Sequence, residues 1–333
     1  MWQTTYGQVE LVTGVLRLGR RGRLLCSLRV GRYSKKLQRA LTDFGAEDSF
    51  FRAAVRIQEH YGIEVSNSAI RRITLAHGRK IGAVEPAKPM PEVKVMVTEM
   101  DGSLIPVVQP GKGADRRKAK TLLWREVRLC CARGHDRAER VYGATLGSVE
   151  NASWMWRQTA QRAGLGERTY VHGVGDGAGW IVDRFQENFG GQGGYLLDFF
   201  HVSEYLSAAA VAIRGQAKSQ AWFRRQQSRL LNNQWKRVLR SLQKHLEPAD
   251  QTEQPVRLAY RYILERKEHL NFQSARRRNL PIGSGEIESS HRHVIQKRLK
   301  LSGSWWLEPN AQIMLNLRTA RANNDWIAYW NTN

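Results

Sequence analysis

The spacing of apolar positions divides the chain into elements before any single residue is weighed. Val93-Lys94-Val95-Met96-Val97-Thr98-Glu99-Met100-Asp101-Gly102 is rich in β-branched residues and closes on Asp-Gly, which predicts a strand. Thr121 to Ala132 and Glu139 to Gly147 predict two more strands, and Ala152 to Ala163, bearing Trp154 and Trp156, a helix. Thr169 to Ala178 reads as a fourth strand that breaks at Asp176-Gly177. A helix at Trp180–Phe189 and the loop Gly190-Gly191-Gln192-Gly193-Gly194 lead to a fifth strand, Tyr195 to His201, with another helix from about Ser203.

The flanks read differently. Strand-like runs at Val9–Val12 and Leu24–Leu28 surround a candidate hairpin at Gly19–Gly22. Ser49 to His60 predicts a helix with Phe50, Phe51, Ala54, Val55 and Ile57 as its apolar face, ended by Gly62. Ser66 caps a second helix, Asn67 to His77, whose apolar side is Ile70, Ile73 and Leu75. Two such helices joined by a short turn have the helix-turn-helix layout, or that of an ordinary αα-hairpin. Pro86-Ala87-Lys88-Pro89-Met90-Pro91 predicts a stiff linker. Later, Leu231, Trp235, Val238, Leu242 and Leu246 recur at helical steps, and Val256–Leu270 follows as a second helix. The pattern thus divides the chain into 1–92, a domain of 93–213 with 279–333, and a helical insertion at 214–278.

Charge changes the picture. In 333 residues, 53 Lys+Arg stand against 30 Asp+Glu, a net +23. A surplus of that size works against a compact fold and points to a polyanionic partner, nucleic acid first. It is densest from Arg214 to Arg278, with 16 bases to 5 acids. Candidate DNA contacts are Arg71, Arg72, Arg79 and Lys80 on the Ser66-capped helix, Arg116 and Arg117 in a basic hairpin loop, and Lys236, Arg237 and Arg240 in the insertion. Arg298 and Lys300 are expected along a phosphate track, and Trp305 and Trp306 either pack or stack on an unpaired base. Cys26, Cys130 and Cys131 have the spacing of neither a zinc site nor a disulfide framework. No apolar run approaches a membrane span, and Met1–Thr5 does not open a secretory signal, so a cytoplasmic, nucleoid-associated protein is expected.

The candidate chemistry lies in the acids. Three strands in meander followed by alternating helices and strands is the RNase H-like arrangement, a mixed five-stranded sheet in which the first and fourth strands are neighbours. Asp101 and Asp176 would then meet, and paired carboxylates suit a hard divalent cation. Ile282-Gly283-Ser284-Gly285-Glu286-Ile287-Glu288 opens a capped helix that offers a third acid. Glu288 shares a helical stripe with His291, Arg292, Ile295 and Leu299, suited to packing on a sheet, whereas Glu286 shares a polar one. This favours Glu288. Asp198 and His201 read equally as structural residues or as site residues.

Taken together, Met100-Asp101-Gly102, Gly175-Asp176-Gly177-Ala178-Gly179-Trp180, Leu197-Asp198-Phe199-Phe200-His201 and Gly283-Ser284-Gly285-Glu286-Ile287-Glu288 resemble bacterial insertion-sequence DDE transposases of the Kra type, related to Mutator-like elements. The resemblance spans roughly 93–330. It implies DNA cleavage at element ends and strand transfer of the 3′-hydroxyl into target DNA. It further implies two Mg2+ (or Mn2+) ions held by Asp101, Asp176 and Glu288, an accessory role for Asp198 and His201, and a homodimer or higher oligomer on DNA. The alternatives are an RNase H-like site-specific endonuclease or resolvase and a non-catalytic DNA-binding derivative.

Overall fold

Serines cap the first four described helices of the chain. In the computed structural model, which describes residues 2–4, 7–9, 33–83, 89–111 and 120–332, the hydroxyls of Ser34, Ser49, Ser66 and Ser148 each accept a backbone N–H three residues on. The elements run β1 (Trp2–Thr4), β2 (Gly7–Val9), α1 (Lys35–Glu47), α2 (Phe50–Tyr61), α3 (Asn67–Ile81), β3 (Val95–Gln109), β4 (Thr121–Gly134) and β5 (Val141–Thr145). Then come α4 (Val149–Arg162), β6 (Tyr170–Gly175), α5 (Gly179–Phe189), β7 (Gly193–Leu197), α6 (Phe199–Arg214), α7 (Ser219–Leu231), α8 (Trp235–Gln243), α9 (Pro255–Glu265) and α10 (Phe272–Arg277). The last are α11 (Gly285–Ser290), a π-helical stretch (His291–Gln296), α12 (Lys297–Leu299), α13 (Glu308–Ala322) and α14 (Asp325–Thr332). The expected runs at Glu10–Val12 and Leu24–Leu28, the Gly19–Gly22 hairpin, Cys26, the linker residues Pro86–Lys88 and the basic loop with Arg116 and Arg117 lie outside the described residues.

Contacts divide the chain into two compact units, one of residues 1–85, 105–125 and 292–333, the other of 86–104 and 126–291. In the first, α1, α2 and α3 close on Leu37, Leu41, Ala53, Ile57, Ile70 and Ile73. The sequence pattern missed α1, although Leu37, Leu41 and Phe44 recur at helical steps. The face expected for α2 is corrected: Ala53 and Ile57 point inward, while Phe51 and Val55 are exposed. α3 also packs on α13, and its His77 is held by the tail, with Tyr329 Oη 2.7 Å from Nδ1 and the Trp330 ring alongside.

The second unit carries the sheet, in the order β5-β4-β3-β6-β7. β4 and β5 are antiparallel, whereas β6 lies parallel to both β3 and β7. Val95, Thr98 and Gly102 lie against His135, Cys131 and Glu126 in turn, so β3 and β4 run oppositely. This is the predicted RNase H-like mixed five-stranded sheet with flanking helices. Met96, Met100 and Val171 face a core with Trp156 of α4 and Ile181 and Phe185 of α5. Val174, Leu196 and Leu197 share another core with α6 and the helices α7 to α10. The expected helix through Leu231 and Trp235 is two helices, broken at Asn233 with φ 55°. Pro89–Pro91 is docked rather than free, since Met90 N donates to Arg162 O.

Candidate active site

β3 and β6 pair with a constant offset, Val95 beside Tyr170 and Glu99 beside Val174. That offset is 75 (170 − 95), which equals the separation of Asp101 and Asp176, each two residues past the last pair. Both charges act on one hydroxyl: burial, then Asp176 and more weakly Asp101, push Tyr195 above the usual phenol range. Only one of the two strand ends is as expected. Asp176-Gly177 is a true break, since Gly177 has φ +75°, a left-handed conformation that favours glycine. Asp101-Gly102 is not, because β3 continues to Gln109 and Glu126 lies against Gly102. Asp101 therefore projects from the middle of a strand.

Each aspartate is held locally. Asp101 Oδ1 accepts the Gly102 N–H at 2.7 Å, and its Oδ2 lies 3.0 Å from Nε2 of the buried His291. Asp176 Oδ1 accepts the Ala178 N–H at 2.9 Å. The surrounding backbone is gripped from α9 and its end: Tyr262 Oη donates to Asp176 O, and Arg266 Nε donates to Gly177 O at 2.9 Å. The helical insertion thus supports the second acid, a role that basic composition alone did not reveal.

The corner that starts α11 is pinned to the sheet by four groups. Asp198, 2% exposed, caps α6 through Oδ1, which accepts the N–H groups of Phe200 and His201. Its Oδ2 accepts Ser284 N at 2.6 Å and the Ser284 hydroxyl. Gly283 lets this close approach happen, since a Cβ there would stand 2.5 Å from the Phe200 ring. The fifth strand accordingly ends at Leu197 and the helix begins at Phe199, earlier than expected, because Asp198 is a helix cap. His201 is half-exposed, beside Tyr205 and Tyr262.

Glu99 is the second peg, and sequence reasoning missed it. It lies two positions before Asp101 on the same strand face. Its Oε2 accepts the Ile287 N–H at 2.7 Å, while the buried Oε1 has no partner among the described residues. Burial, against the pull of the Ile287 N–H, raises its carboxyl to about 8. A second acid two positions before Asp101 in an otherwise apolar run was the available signal.

Arg133 and Arg140 are the third and fourth. Arg133 donates from Nη2 (2.6 Å) and Nε (2.8 Å) to Glu286 Oε1, and Arg140 Nε to Oε2 at 2.7 Å. Burial alone would raise the Glu286 carboxyl, but the two guanidinium groups outweigh it and hold it below its ordinary value. This overturns the face argument. Glu286 is half-buried and engaged, and Glu288 is exposed, with no side-chain partner among the described residues. The packed positions are Ile287, then Ser290-His291, Val294-Ile295 and Arg298-Leu299. These pairs repeat every four residues, a spacing that an α-helix of 3.6 would rotate away and that the wider π turn from His291 to Gln296 keeps in line. Glu288 stands one turn before His291, and His291 touches Asp101. Among the described residues no group of three or more His, Cys, Asp or Glu side chains is gathered closely enough to hold a metal ion.

The candidate nucleic-acid contacts are spread over the surface. Arg71, Arg72, Arg79, Lys80, Lys236, Arg237, Arg240 and Lys300 are exposed. Arg298 is a correction: expected along a phosphate track, it is buried between Phe50 and Trp306 with Nε donating to Gly45 O at 3.0 Å. Trp306 is buried and bridged to Val107, so it packs, whereas Trp305 is 46% exposed. Cys130 and Cys131 are buried free thiols, and burial pushes Cys130 up to about 12. No described helix is long and apolar enough to cross a membrane.

No family model matches the chain, and no curated protein matches its sequence. Among solved structures it is similar to the Drosophila P element transposase strand transfer complex, at 10% identity over 91% of this chain and 81% of that one, with a TM-score of 0.33. It is similar also to NurA crystallised with manganese, at 15% identity over 80% and 66% of the two chains, with a TM-score of 0.13. Likenesses this distant carry no argument about the site.

Proposed function

We propose that the chain is a DDE transposase of an insertion sequence, cutting DNA at element ends and joining the 3′-hydroxyl to target DNA. The observation that supports this reading is the pairing of β3 with β6 as adjacent parallel strands of an RNase H-like sheet, its last pair, Glu99 and Val174, standing two residues before Asp101 and Asp176. Glu288 is the third acid in this reading. It is exposed, has no side-chain partner among the described residues, and stands one helical turn from the histidine that meets Asp101.

Asp101, Asp176 and Glu288 are the ligands in this reading: their carboxylate oxygens are of the kind that Mg2+ or Mn2+ takes, although in this conformation the three are not gathered into one set. Held by these residues, a divalent ion would supply charge neutralisation for a phosphoryl transfer. The chain's own share is positioning. Tyr262 and Arg266 fix the backbone of Asp176, His291 lies against Asp101, and Asp198, Glu99, Arg133 and Arg140 fix the start of the helix that bears Glu288. Asp198 is accessory in that sense. The exposed bases of α3 and α8 are the proposed DNA contacts, with 49–80 as a helix-turn-helix, and two ends held together would require a dimer or larger assembly on DNA.

The test is cleavage and strand transfer of an end-bearing duplex in Mg2+. Asp101→Asn, Asp176→Asn and Glu288→Gln each abolish both while duplex binding persists. Cleavage retained in any of the three removes that residue from the site. Cleavage by the unmodified protein without transfer of a pre-cut end would favour an endonuclease of the same fold.

A further inference from the structure

The unit that contains α1–α3 and α13 holds a cavity of about 420 Å³, with Phe50, Arg71, Arg298, Trp305, Trp306 and Asn310 in its wall. This is the size of a site for a small ligand. Its unusual member is Arg298. The side chain is 2% exposed, and its guanidinium carbon lies 4.7 Å from the ring centroids of both Phe50 and Trp306. Nε is taken by Gly45 O at 3.0 Å. Among the described residues no carboxylate pairs with it, and its two terminal nitrogens have no acceptor. Burial and the neighbouring Arg318 push it down to about 10, as expected for a buried cation short of negative charge. Asp48 and Glu47 act on it only from a distance, and each is paired elsewhere, Asp48 with Arg56 and Glu47 with Arg318.

A buried guanidinium held on aromatic rings, with only its paired terminal N–H groups free, suits two acceptors side by side in one plane. Phosphate oxygens and the O6/N7 edge of guanine both offer that. The rest of the wall decides between them. Trp305 lines the cavity with a half-exposed ring, one face of which carries the Lys120 ammonium at 4.1 Å. Leu75, Val108 and Leu307 add apolar surface, which serves a flat base and not a phosphate.

We infer that this cavity receives one unpaired purine base of a DNA substrate, guanine by preference, stacked on Trp305 and bonded at its edge by Arg298. The inference rests on the reading of the chain as a DNA-processing protein and adds a binding site apart from the acids. An extrahelical base held there would fix the duplex in register.

The test uses the full chain and three fluorescein-labelled duplexes read by anisotropy: blunt, with one unpaired 3′ guanine, and with an abasic residue in its place. The guanine duplex is expected to bind about 10-fold tighter than the abasic one, the scale of one base–aromatic stack. Trp305→Ala should bring that ratio close to one. Arg298→Lys, which keeps the buried charge, should erase the preference for guanine over 7-deazaguanine. Equal binding of the guanine and abasic duplexes by the unmodified protein overturns the inference, whether or not both exceed the blunt duplex. So does an unchanged ratio in Trp305→Ala. If none of the three duplexes binds, the DNA reading fails. The cavity is then judged by GMP alone, which must quench tryptophan fluorescence in the unmodified protein and not in Trp305→Ala; absence of quenching overturns the site.

Discussion

Replacing Asp198 by Asn tests the claim that this acid is a mechanical peg and not a ligand. The carboxylate accepts four hydrogen bonds, two from the start of α6 and two from Ser284. An amide has one acceptor oxygen. If that oxygen stays on the α6 cap, the NH2 faces the Ser284 N–H, donor against donor, at what was a 2.6 Å contact. One charge-assisted bond is lost, worth about 1.5–3 kcal/mol, and a buried N–H is left unsatisfied, at about 1–3 kcal/mol. The Ser284 hydroxyl can turn to accept, which recovers part of this. A net loss of about 2–4 kcal/mol at the Pro281–Glu288 corner follows, which would speed its local opening about 30- to 700-fold. Hydrogen–deuterium exchange of peptides covering 281–290 reads this directly, with α4 as the internal control. Unchanged exchange at the corner in Asp198→Asn refutes the peg. Unchanged exchange with loss of Mg2+-dependent cleavage would make Asp198 a ligand.

The other predictions concern protonation and the two glutamates. Glu99 has a folded value of about 8 against 4.5 unfolded, so its contribution is complete below pH 4.5 and is lost as pH rises through 8; melting temperature should fall from pH 6 to 9, and Glu99→Gln should flatten that slope. His77 and His172 are held near 4, chiefly by burial, against 6.5 unfolded. Their contribution is complete above pH 6.5 and falls away toward pH 4, up to about 3 kcal/mol each, and urea titrations at pH 7 and pH 4.5 should separate by several kcal/mol. Glu286→Gln should lower stability by about 1–3 kcal/mol by stranding Arg133, with cleavage reduced in proportion to corner opening, whereas Glu288→Gln should melt like the unmodified protein. A thermal shift in Glu288→Gln matching that of Glu286→Gln would contradict the division of labour between them.

The sheet was legible because its strands are short apolar runs punctuated by glycine, and because their order admits few topologies. The separation of Asp101 from Asp176 even matches the strand register, although nothing in the sequence required it to. What escaped was whatever depends on partners distant in sequence. Glu99 meets Ile287 across 188 residues and Glu286 meets Arg133 across 153, and neither pairing leaves a local trace. The packing stripe of α11 was misread by about one position because a period of 3.6 was assumed where a π turn intervenes. Arg298 was read as a surface base, since burial of an arginine against two aromatic rings is set by residues near 45, 50 and 306.

The pinned corner has a consequence for how such a protein fails. Four anchoring groups are invested in Ser284, Glu286 and Ile287, and none in the side chain of Glu288. A single change at position 288 would therefore silence the proposed chemistry and leave folding untouched. The product would be an intact protein that, if the proposed function holds, still occupies DNA ends. Mixed with active copies, it would act as a competitor made from the same chain.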